Sequence, residues 1–228
     1  MVLMAQPDPD RLAVISDCME NYELGEEDAE WPNNIISRRA IVYGDGTIAR
    51  HGDAVSHAID DAELALCRRL SREAAGLMDG VSVGMGSESD DRFRDFFIAA
   101  PVGAPPPGAI DGALIRARFG ETLFPPVTIT AEPFAEDTVW WGEVAHDGAD
   151  SEPAYFTPWR AMADWFRQQP EFIATAFVRI GDWRDLSRLP EASWPAGTVI
   201  AGACLPRLAL GLTRKGSLAG LFGHAVHS

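Results

Sequence analysis

The alternation of apolar and polar positions divides the chain into short segments. Arg11–Ser16 is apolar and brief, which predicts a buried strand. Ile35–Tyr43 and Thr47–Arg50 flank Gly44-Asp45-Gly46, and the Asp-Gly pair supplies the positive φ angles of a tight hairpin turn. From Asp60 the period becomes helical. Leu66, Cys67, Leu70, Ala74 and Leu77 fall on one face, and Arg68, Arg69, Arg72 and Glu73 on the other. Asp60 and Glu63 have the spacing of a capping box, Asp53 would cap an earlier start, and Asp79-Gly80 stops the helix. Val81–Met85 predicts a strand, whereas Asp91–Ala99 fits either element.

Further on, Ala113–Phe119, Val127–Ala131 and Thr138–Ala145 predict an antiparallel series that turns at Gly120 and Pro125-Pro126. Thr157-Pro158 opens a helix, a cap followed by proline at the first helical position. Met162, Trp165 and Phe166 give it an apolar face, and Pro170 ends it. Phe172–Ile180 is a β-branched and aromatic strand. Thr198–Leu205, Arg207–Thr213 and Ser217–Val226 predict a closing meander, its last two strands joined at Arg214-Lys215-Gly216. Many strands against two clear helices imply an α+β fold with a largely antiparallel sheet, because a parallel sheet needs a crossover for each strand.

Residues 100–109, APVGAPPPGA, hold four Pro and two Gly, which excludes helix and central strand. They predict a linker between an acidic α+β lobe at 1–100 and a Trp-rich, mainly β lobe at 109–228. The alternative is one continuous domain with this segment as a stiff surface loop. Six of the seven Trp lie beyond it.

Charge narrows the classes of partner. The net charge is −15 and the isoelectric point about 4.6. Nucleic-acid backbones and anionic membranes both demand clustered basic residues, so both are excluded as expected partners. Glu20, Glu23, Glu26, Glu27, Asp28 and Glu30 crowd the front of the chain, while no acid follows Glu191. The acid-free, apolar tail is expected to form inner strands or an interface. Cys18, Cys67 and Cys204 are scattered, which argues against a disulfide framework or a thiolate zinc site. The N-terminus has no basic, apolar leader, and the longest apolar run, Gly197–Leu205, falls far short of the roughly 20 residues of a membrane span. These features predict a soluble, cytoplasmic protein. Arg far outnumbers Lys, present only as Lys215, a bias that suits a GC-rich bacterial genome.

Candidate chemistry centres on RHGDAVSHAIDD. His51, Asp53 and His57 offer two imidazoles and a carboxylate to one divalent metal, or a general base with its orienting carboxylate. The spacing is not that of HExxH, and helix capping by Asp53 and Asp60 with solvated histidines explains the same residues. His224 and His227 would join such a centre only if the tail folds back beside His51. His146-Asp147-Gly148 reads as a turn. Gly84-Met85-Gly86-Ser87 follows a predicted strand and could cradle an anion on backbone N–H groups. Met85-Gly86-Ser87-Glu88-Ser89-Asp90 resembles the MGSxSD loop of the class I aminoimidazole-ribonucleotide carboxylase/mutase family, which contacts a ribose phosphate. In that family the loop follows the first strand. Here it sits in mid-chain, and the family's AAHLPG-type segment has no counterpart, so the resemblance ends at six residues.

Trp140 and Trp141 are adjacent, so on a strand they point to opposite faces. With Trp183 they are the candidate contact residues for a ligand or partner. The resulting expectation is a non-catalytic binding or assembly module that uses its Trp-rich half for a protein partner or self-association. The alternative is a small metal-assisted hydrolase or acid-base enzyme centred on His51, Asp53 and His57.

Overall fold

The computed structural model describes residues 40–42, 44, 48–50, 53–55, 58, 60–81, 92–120, 123, 127–134, 156–181 and 203–227. The expectations for 11–16, 20–30, His51, His57, 82–91, Trp140, Trp141, His146 and Trp183 lie outside them.

The described chain is α+β. Strands β1 (Ala40–Val42), β2 (Ile48–Arg50) and β3 (Asp53–Val55) form a three-stranded antiparallel sheet. Helix α1 (Asp61–Leu77), β4 (Arg94–Ile98), α2 (Gly112–Phe119), β5 (Ile129–Pro133), α3 (Phe156–Gln168), β6 (Phe172–Ile180), β7 (Ala203–Thr213) and β8 (Leu218–His227) follow. The last five strands make one antiparallel sheet in the order β4-β8-β7-β6-β5. β4 precedes residues 100–109 and β8 follows them, yet the two are direct neighbours, with Phe96 opposite Gly220.

The acid-free tail supplies the inner hairpin, β7 and β8. Residues 205–213 and 217–225 are buried without interruption, as in strands covered on both faces. Alternate residues go to opposite layers. Phe96, Ile98, Val178, Leu208, Leu210, Leu218 and Phe222 pack with Ile115 and Phe119 of α2. Phe177, Ala209 and Leu221 pack with Ala74 of α1 and with Trp159, Met162 and Phe166 of α3. Phe97 and Ala219 meet Cys67 and Leu70 of α1. Phe166 is fully buried, so its truncation to alanine costs about 3–5 kcal/mol.

Two strand assignments are corrected. Ala113–Phe119 is helix, not strand. Asp111 caps it by accepting from the Leu114 N–H at 2.8 Å, and Ile115 and Phe119, four apart, both reach the core. Arg116 and Arg118 in the last turn suit the negative end of the helix dipole. The cap and this spacing outweigh the apparent alternation of ALIRARF. Second, Pro206 does not divide two strands, because β7 runs through it. The β6–β7 ladder ends at the pair Arg179 and Arg207, one residue short of the proline. Pro206 has no N–H to give there. The carbonyls of Ile180 and Pro206 instead accept from Arg207 Nη1, at 3.5 and 3.1 Å. No described helix is long and apolar enough to cross a membrane.

Candidate functional site

Helix α1 carries the chemistry of the described residues on two sides. Its start is set by Asp60, whose carboxylate accepts from the N–H groups of Ala62 and Glu63 at 3.0 and 3.1 Å. Asp53 is therefore not the cap; it begins β3, opposite Arg50. The same Asp60 carboxylate meets Lys215 Nζ at 2.6 Å, tying the helix to the β7–β8 turn. The Lys215 hydrogen bond first, and then the helix amides, hold the Asp60 carboxyl below its ordinary value of 3.8.

On its inner side α1 joins the hairpin through buried polar groups. Glu63 does not reach back to complete the capping box. It is 5% exposed and accepts a hydrogen bond from Thr213 Oγ1. Thr213 Oγ1 in turn accepts from the Ser217 N–H at 3.1 Å, and Ser217 Oγ accepts from the Ala100 N–H at 2.9 Å. These bonds answer the burial of polar atoms that would otherwise be costly. Cys67 lies one turn after Glu63. Burial, with the Glu63 charge adding to it, pushes the Cys67 thiol up to about 12. A thiol so raised is a packing residue rather than a nucleophile at neutral pH.

The outer side of α1 is different. Leu64, Ala65, Arg68, Arg69 and Arg72 line an open groove of about 610 Å³, with Asp61 at one end and Glu73 at the other. Arg69 is held in place by Glu73 and Glu171, each at 2.8 Å, and these hydrogen bonds raise its pKa. The Arg68 guanidinium carbon lies 5.9 Å from the ring centre of Phe97, within cation–π range. Arg72 is exposed and makes no hydrogen bond or ion pair among the described residues. The stripe thus combines one tethered guanidinium, one poised over an aromatic ring and one open to solvent. It can take up carboxylate or phosphate oxygens. The sequence assigns these arginines to the wet face of the helix. Their spacing is that of an ordinary solvated face, and only the contacts of Arg68 with Phe97 and of Arg69 with Glu171 tell them apart.

Of the residues singled out by sequence, the backbone of Asp53 is in the small sheet. His51, His57, Trp140, Trp141 and Trp183 lie outside the described residues. His224 sits in β8 opposite Pro206, fully buried, with its ring edge-on to Phe222 at 4.9 Å. Among the described residues, no group of three or more His, Cys, Asp or Glu side chains is placed to hold a metal ion. A second polar feature crosses the sheet: Arg179 pairs with Glu132 at 2.9 Å, and Arg207 stands beside Arg179 in register. Arg207 is 3% exposed and bonded to backbone carbonyls, so it serves the strand ends. The chain matches no protein-family model and no curated protein, so its function is argued from its own residues.

Proposed function

We propose that this protein is a non-catalytic binding or assembly module of the bacterial cytoplasm, and that the outer stripe of α1 is a principal contact surface. One observation carries the reading: Arg72 stands open to solvent in a groove beside Arg68 and Leu64. By contrast, Glu63, Thr213, Ser217 and Lys215 are engaged in joining α1 to the central hairpin. Trp140, Trp141 and Trp183 form a second contact region in this reading, from their sequence pattern alone. Scattered cysteines and net charge of −15 support a reducing compartment and a protein partner or self-association rather than a nucleic acid or membrane.

Native-gel migration of the full chain from freshly lysed producing cells tests this reading. The wild type should migrate as a complex larger than the 24.7 kDa chain. The Arg68→Glu/Arg72→Glu double variant should migrate as the free chain. Wild-type migration as the free chain, or an unchanged complex in the double variant, would contradict it. Stoichiometric metal held by untagged protein and lost in His57→Ala would favour the metal-assisted reading instead.

A further inference from the structure

We infer that the α1 groove receives a short acidic peptide segment of a partner protein, with a carboxylate held between Arg68 and Arg72. This inference rests on the reading of α1 as a contact surface and names the chemistry of what it contacts. Arg68 and Arg72 are one helical turn apart, so both guanidinium groups can reach one carboxylate or a close pair. Arg68 is already positioned over Phe97, which lowers the entropy lost when it takes up a ligand. Arg69 is committed to Glu73 and Glu171 and forms a fixed wall. Leu64, one turn before Arg68 and half-buried, offers an apolar contact beside the charged one.

The ends of the groove decide between classes of anion. Asp61 and Glu73 are its first and last lining residues, and at 1.5 Å per residue they stand about 18 Å apart along the helix. A few carboxylates fit between them. A nucleic acid repeats its charge continuously and would run into both acids, and then into the remainder of a chain of net charge −15.

The test uses the full chain and three fluorescent probes read by anisotropy at low salt. The first is a short peptide bearing Glu at helical spacing with one Leu. The second carries Gln for every Glu, and the third is an oligothymidylate. The Glu peptide should bind, and the Gln peptide should bind at least about tenfold more weakly. Arg72→Glu, an exposed substitution that leaves the core untouched, should weaken the Glu peptide by a similar factor, and raising the salt to about 0.15 M should weaken it further. Equal binding of the two peptides, no binding of the Glu peptide, or indifference to Arg72→Glu would overturn the inference. Preferential binding of the oligothymidylate would also overturn it, in favour of a nucleic acid. If the peptides fail while the native-gel complex still depends on Arg68 and Arg72, the acidic-segment assignment falls and the contact surface stands. If the gel result fails as well, both fall.

Discussion

Glu63, in the first turn of α1, accepts a hydrogen bond from Thr213, the last residue of β7, across 150 positions of sequence. This contact fixes the helix on the central hairpin and so determines which face of α1 turns outward. The arginine stripe is exposed because the opposite side of the helix is anchored here and by the packing of Cys67, Leu70 and Ala74.

Thr213→Val removes the donor to a buried carboxylate and the acceptor of the Ser217 N–H together. An unpaired buried polar group costs about 1–3 kcal/mol. The variant should therefore lose at least about that much in urea unfolding, with an unchanged dependence on denaturant. A variant as stable as the wild type would show that the bond contributes nothing to docking the helix.

The Asp60–Lys215 pair makes an acid-side prediction. The folded Asp60 value lies below the ordinary 3.8, so its contribution is fully present above 3.8 and lost as pH falls through the lower folded value. Lys215 is raised above 10.5, so its contribution is present below 10.5 and lost as pH rises through the higher folded value. Carboxyl-carbon NMR titration of Asp60 should give a midpoint below 3.8 that moves upward in Lys215→Met. Only the helix amides would then still hold it down. An identical midpoint in the variant would assign the whole depression to the cap.

Cys67 should resist alkylation in the native chain at pH 8, because its thiol is buried and raised to about 12. Denaturant without reductant should expose it, together with Cys18 and Cys204, giving three alkylated cysteines by peptide mapping. Rapid native labelling of Cys67 would contradict its placement between α1 and the sheet.

Much of this architecture is legible from local pattern. The β-branched and aromatic residues of Phe172–Ile180 delimit a strand, and β6 covers that same span. The Asp60 cap and the Asp79-Gly80 stop bracket α1, and the acid-free tail forms the inner strands. What escapes is set by contacts distant in sequence. Nothing near Glu63 announces Thr213, so a capping box is the local expectation for a side chain that turns to the hairpin instead. Pro206 reads as a break because its lost N–H is visible in sequence. The end of the β6 ladder and the Arg207 side chain that serves the neighbouring carbonyls are not. The arginine stripe has the spacing of an ordinary solvated face. Only its packing, with Arg68 over Phe97 and Arg69 tied to Glu171, separates one arginine from another.

Whether the outer stripe of α1 is where this protein meets its partner is decided by site-specific photocrosslinking in the producing cell. A photoreactive residue replaces Ala65, exposed within the groove, and in a separate variant Ala113, exposed on α2. Position 65 should give a discrete protein adduct that disappears when Arg68→Glu/Arg72→Glu is added, and position 113 should give none. Adducts of equal yield from both positions, or none from position 65, would contradict that contact surface.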